Sequence, residues 1–177
     1  MTLNEIIVAA LSELGRGHDQ RNIDSCRQKF TRFANDAIID IAASMKLHMT
    51  EEVRIDGSTR DTVRLSHPCL KVIAITQDGF PLRFSSCEAS DIVCVRGTGI
   101  VNVIYRYMPA ALSVPSDVPE IPEYMHGLIV SYVVGRERMS GDTSTQKGCD
   151  AYMELYETEK MRILSAGSKE NTIENKW

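Results

Sequence analysis

The sequence predicts an α+β fold: a small bundle of about four helices, an inserted antiparallel β sub-domain of about six short strands, and a flexible C-terminal tail. Three observations predict it. Apolar residues recur at three- and four-residue steps near both ends of the chain. Between them, from about residue 50 to 108, the apolar period drops to two. Four prolines then separate the strands from a second helical pair.

Thr2 and Glu5 are spaced as a capping box, with the Thr2 hydroxyl and the Glu5 carboxylate each satisfying a free backbone N–H. Leu3, Ile6, Ile7, Ala10, Leu11 and Leu14 follow as one stripe, and Gly15 is placed to stop that helix. A longer amphipathic helix is expected from about residue 22 to 47, with Ile23, Cys26, Phe30, Phe33, Ile38 and Ile41 on its apolar face. Residues 1–49 thus form the N-terminal half of the bundle.

Val53 and Ile55 alternate with polar residues, Gly57-Ser58 turns, and Val63 and Leu65 alternate again, which predicts a first β-hairpin. Residues 70–75 predict a buried strand, Asp78-Gly79 a tight turn, and Leu82 and Phe84 the return. Residues 92–95 and 100–107 predict a third pair around Arg96-Gly97-Thr98-Gly99. The β insert spans 50–108. Pro109, Pro115, Pro119 and Pro122 make 109–121 a linker, and Pro122 suits the first turn of a helix.

Residues 122–165 read as a helical hairpin. Met125, Leu128, Ile129, Tyr132 and Val133 mark its first helix and Ser140-Gly141-Asp142 the break. Cys149, Tyr152, Met153, Tyr156, Ile163 and Leu164 mark the second. Apolar periodicity is lost from Ala166, so 166–177 reads as a polar tail ending in Ile173 and Trp177.

The chain has 177 residues, enough for one domain with a real core, and its 43% hydrophobic content is that of a folded protein. A net charge of -4 argues against a general nucleic-acid binder working through a basic surface. No apolar run reaches membrane-span length and no signal-peptide core is evident, so an intracellular product without a membrane partner is expected. The five cysteines are odd in number and scattered, which predicts reduced thiols.

Chemistry-bearing patterns are sparse. His18, His48, His67 and His126 have no ligand-type spacing, so no metal or cofactor is expected. Gly97-Thr98-Gly99 lies between two strands and suits a hairpin better than a phosphate loop. Ser66-His67 lacks an evident third partner for a nucleophilic triad. The chain is therefore read as a non-enzyme. Gly127, Ser131 and Gly135 recur every four residues, and two helical glycines cost about 1 kcal/mol each against alanine, so a close backbone approach should compensate. That partner is either another helix of the same chain or a neighbouring subunit. With Tyr132, Tyr152 and Tyr156 these residues are the candidate packing site, for a subunit contact or for the bundle itself.

The element order and several segments resemble the head-to-tail adaptor proteins of tailed bacteriophages, also called connector or head-completion proteins. The carrying residues are Ile121-Pro122-Glu123-Tyr124-Met125-His126, Tyr132-Val133-Val134-Gly135-Arg136, Gly141-Asp142-Thr143, Ala151-Tyr152-Met153-Glu154-Leu155-Tyr156 and Phe33-Ala34-Asn35-Asp36-Ala37. The resemblance is motif-specific over about 121–165. The size of the β insert and the Trp-ended tail depart from the pattern. The resemblance implies a virion protein of the head–tail neck, assembled in the host cytoplasm. It implies a homo-oligomeric ring, typically dodecameric, docked on the portal and meeting tail or neck proteins. DNA would pass through the ring without specific binding. The C-terminal segment, with Lys169, Ile173 and Trp177, would contact the portal. Three rivals are a tail-completion or tail-terminator ring, a neck-associated cell-wall hydrolase using Glu51 or Glu52, and a bacterial binding module.

Overall fold

The computed structural model describes residues 1–56, 61–86, 90–95, 98–140 and 149–170. The chain is α+β, with four α-helices and an antiparallel β region of six strands among the described residues. It divides into a helical unit, Met1–Ile41 with Ala111–Trp177, and a β unit, Ala42–Ala110.

In the helical unit, α1 spans Leu3–Glu13 behind the capping box of Thr2 and Glu5. The Pro-rich linker supplies two more of its N-terminal partners: Leu3 N–H donates to the Asp117 carbonyl (2.7 Å) and Asn4 N–H to the Pro115 carbonyl (3.0 Å). These would otherwise be two of the free donors at a helix start. Gly15 ends α1 with φ +66°, a left-handed backbone that glycine tolerates. The second helix, α2, spans Gln20–Met45. It begins two residues before the predicted start because Asp19 accepts from Asn22 N–H (3.0 Å). Its stripe buries Phe30, Phe33, Ala37, Ile38 and Ile41.

The linker is tied down by its own carboxylate, since Asp117 accepts from Ser113 N–H (2.7 Å) and Val114 N–H (2.8 Å). It buries Leu112 and Ile121. The Asn35 side chain holds Leu112 through both backbone groups, donating to its carbonyl and accepting from its N–H. A 3-10 turn, Glu123–Met125, leads into α3, His126–Met139, and α4 spans Cys149–Glu170. Helix α4 runs five residues past the predicted end at 165. Loss of apolar periodicity marks the loss of a buried face, not the end of a helix. The rest of the predicted tail, with Ile173 and Trp177, and the break at Gly141-Asp142 lie outside the described residues.

In the β unit the strands are β1 His48–Ile55, β2 Asp61–Gln77, β3 Phe80–Pro81, β4 Phe84–Ser86, β5 Ser90–Val95 and β6 Gly99–Tyr107. Their order is β1-β6-β2-β5-β4, with β3 paired to β2. Two predicted pairings are overturned. β1 pairs β6 (Val53 opposite Val101), not the 63–65 segment, and β6 pairs β1 and β2, not β5. The segments at 62–65 and 70–75 are one 17-residue strand. Its first half pairs β5, its second half pairs β6, and the ladder slips between Arg64 and Cys69. Pro68 lies in that slip and cannot donate to a ladder. Its carbonyl instead accepts from Met108 N–H (3.0 Å).

The Asp78-Gly79 turn forms as predicted, with φ +51° and +84°, the signature of a two-residue hairpin. The return is shorter than expected, because Phe84 leaves it to pair with Val95 of β5. The β core contains Leu65, Val72, Ile75, Val101, Val103 and Tyr105.

Candidate functional site

The candidate packing site lies on α3 and α4. Gly135 is buried, and a Cβ there would stand 2.7 Å from Met153 Sδ and 3.0 Å from its Cγ. Its missing side chain lets α4 of the same chain approach. Gly127, by contrast, is exposed, with no heavy atom within 4 Å of a built Cβ. Ser131 is half-buried. The four-residue stripe therefore divides: one end packs within the chain and the other stays open. Gly135→Leu is expected to destabilise the protein by about 1–3 kcal/mol through overpacking. Gly127→Leu should leave the melting temperature unchanged or raise it; thermal melts of both variants, followed by circular dichroism, check the contrast.

The three tyrosines of the site do different work. Tyr156 is fully buried and packs edge-on against Tyr132, with ring centroids 5.2 Å apart. Tyr152 stacks with Arg138, whose guanidinium lies 4.8 Å from its centroid. The Tyr156 hydroxyl donates to Asp40 on α2. Lys160, also buried, donates to the same Asp40 oxygen (2.7 Å) and to Glu157 (2.9 Å), and lies 4.7 Å from the Tyr156 centroid.

Burial opposes ionisation of Asp40, yet the hydrogen bonds from Lys160 and Tyr156 outweigh it and hold the carboxyl below its usual range. Burial pulls Lys160 down, but Asp40 and Glu157 more than reverse that, so it stays a cation. Burial, then Asp40, push the Tyr156 phenol far up, so it remains a neutral donor. The cluster pins α4 to α2.

A second cluster centres on Glu137 of α3, which is buried. Its Oε1 lies 2.9 Å from Arg16 Nη1 and its Oε2 2.6 Å from Lys29 Nζ. One carboxylate thereby ties α3 to the segment after α1 and to α2. Beside it the buried Phe33 ring meets Lys29, Arg32 and Arg136 at 5.8, 5.3 and 5.5 Å from its centroid, within cation–π range.

The β unit holds a third cluster. Glu51 of β1 accepts from Ser66 N–H (3.1 Å), Ser66 Oγ (2.9 Å) and the Tyr105 hydroxyl (2.8 Å). Burial raises its pKa, but these bonds and the nearby His67 bring it below the usual carboxylate range. Ser66 Oγ is also 2.9 Å from His67 Nδ1. The serine thus stands between acid and imidazole, whereas a triad needs the imidazole in the middle. Glu51 is half-buried and Glu52 exposed, as alternation along a strand requires. They lie on opposite faces and cannot share a cleft as an acid–base pair. Glu51→Gln is expected to cost about 1–2 kcal/mol, because an amide cannot accept all three donors. Because the folded pKa of Glu51 is lowered, its contribution is full above the unfolded pKa and is lost as pH falls. Urea titrations at neutral and acidic pH should therefore find the gap between wild type and variant closing in acid.

Sequence reading missed Asp40, Lys160 and Glu137. Lys160 carried a signal, since it falls on the stripe of Met153, Tyr156 and Ile163 where an apolar residue is expected. Lys169 lies in the last turn of α4. Cys26, Cys69 and Cys94 carry free thiols, and Cys87 and Cys149 fall where side chains are not described. Among the described residues no group of three or more His, Cys, Asp or Glu is placed to hold a metal. No helix among them is long and apolar enough to cross a membrane. Compared with known proteins, the chain matches no family model and no curated sequence.

Proposed function

We propose that this chain is a non-enzymatic structural protein of a tailed-phage particle, an adaptor ring that joins the portal to the tail and extends the DNA channel. The observation that carries this reading is the set of large apolar side chains left exposed on a single copy. Tyr124 (69% exposed) and Met161 (61%) stand out on the helical unit, and Phe80 (74%) and Ile100 (61%) on the β unit. Large apolar side chains on both units suit a protein that works by being covered by partners. The helix–β–helix order is also the order on which the adaptor resemblance rests. The helices hold more residues than the strands, which favours an adaptor over a strand-dominated tail terminator. The segment following α4, with Ile173 and Trp177, is the proposed portal contact, and DNA would pass without being held.

Sedimentation and native mass measurement, on the chain alone and mixed with portal protein, test the reading. A ring-sized species seated on portal is expected. A monomer that never assembles, alone or on portal, would overturn it.

A further inference from the structure

Strand β1 ends the sheet, and its one ladder partner among the described residues is β6. All eight of its residues pair with β6 in unbroken register, so its other edge is a straight row of backbone N–H and C=O groups. Exposed edges are usually blunted by proline, lysine, a bulge or shortness. β1 has no proline, lysine or bulge, whereas β4 at the opposite edge is three residues long. The inward carboxylate of β1, Glu51, is held by Ser66 and Tyr105 of the same chain. Another extended backbone is what matches such a row.

The side chains select which backbone. His48, Thr50, Glu52 and Arg54 lie on the exposed side of β1, and Met49, Glu51, Val53 and Ile55 on the side of the β core. Val53 packs on that core yet is only half-buried. Glu52 and Arg54 face Asn102 and Ile100 of β6, so neither charge has an ionic partner across the ladder. An antiparallel second copy of β1 sets exposed residues against exposed ones only when the two-fold axis passes through a residue. An axis through Glu51 or Glu52 places a carboxylate opposite itself, which is unfavourable. An axis through Thr50 leaves Arg54 outside the overlap. An axis through Val53 places Glu52 opposite Arg54 twice and lays Val53 against Val53 of the second copy. Axes nearer either end overlap too little of the strand.

We propose that a second copy of this chain docks on the β1 edge, strand against strand, antiparallel and centred on Val53. Two Glu52–Arg54 pairs and the Val53 contact fix the register, and the sheets of the two copies become one. An extended segment of an unrelated protein would satisfy the backbone alone; β1 supplies the acid and the base at matching positions by its own symmetry. The contact is isologous and closes at two copies, so it is separate from the heterologous contacts of the proposed ring.

Sedimentation of the free chain over a dilution series tests it, with circular dichroism melts to confirm folding. Wild type is expected to dimerise. Glu52→Arg and Arg54→Glu, each alone, set like charges opposite each other and are expected to raise the dimer dissociation constant about tenfold or more. Glu52→Arg/Arg54→Glu restores both pairs and should dimerise as wild type does. Should a single variant fail to fold, Glu52→Gln or Arg54→Gln takes its place, with a smaller rise expected. Val53→Cys should give a disulfide-linked dimer under mild oxidation, because opposed strand residues have Cα atoms about 4.5–5.5 Å apart, within disulfide reach. Wild type, with its native thiols, and Thr50→Cys should not link. A free chain that is monomeric throughout overturns the pairing and leaves the portal test of the ring reading as it stands. A dimer that neither single variant weakens, or that the double variant fails to restore, uses another surface and overturns it too. A link through Thr50→Cys in place of Val53→Cys overturns the register.

Discussion

Truncating Tyr156 to alanine is expected to destabilise the protein by about 3–5 kcal/mol, the range for emptying a large aromatic site in a core. The side chain is fully buried, packs on Tyr132 and donates to Asp40, so its loss opens a cavity and removes a donor together. Tyr156→Phe separates the two effects: it keeps the volume and should cost about 1–2 kcal/mol for the hydrogen bond. Urea unfolding at neutral pH checks both. Equal losses for the two variants would show that the hydroxyl, not the ring, holds α4 to α2.

The same cluster sets a pH dependence. The folded pKa of Asp40 is lowered, so its contribution is complete above the unfolded pKa, near 3.8, and is lost as pH falls through the folded value. The folded pKa of Lys160 is raised, so its contribution is complete below the unfolded pKa, near 10.5, and is lost as pH rises through the folded value. The staple is whole across neutral pH and fails at both extremes. Asp40→Asn should flatten the acid limb of the stability profile. A variant with the wild-type acid limb would contradict this account.

The second large effect concerns Glu137, and its sign pattern is unusual. The carboxylate side chain is only 9% exposed, while Arg16 and Lys29 are 45% and 41% exposed. Removing the acid lets both cations rehydrate, so Glu137→Gln is expected to cost only about 1–2 kcal/mol. Removing both cations, in Arg16→Met/Lys29→Met, strands a buried charge and should cost about 3 kcal/mol or more. A double variant no less stable than Glu137→Gln would show that the carboxylate is better solvated than its burial implies.

Much of this architecture is legible residue by residue. The period of α2, the capping box of Thr2 and Glu5, and the Asp78-Gly79 turn are set by neighbours a few positions apart, and each forms where the pattern places it. Strand partners were not legible. The segments around Val53 and Val63 alternate and those around Val93 and Val101 are nearly continuous apolar runs, and neither pattern names a partner strand, so local pattern cannot rank their pairings. The first and third of the expected hairpins fail because β6 takes the place between β1 and β2.

The candidate site divides along the same line. The repeat of Gly127, Ser131 and Gly135 is visible in the sequence, but only the packing of Met153 shows that Gly135 faces α4 while Gly127 faces open space. Asp40 and Lys160 are 120 positions apart and Arg16 and Glu137 are 121 apart, so no local pattern joins either pair. By itself the sequence determined the α+β class, the span of most helices and one tight turn, because hydrophobic period, capping and turn chemistry act over a few residues. Tertiary structure alone decided the strand order, the fate of the two glycines and the buried ion pairs, because those depend on which distant surfaces exclude water together.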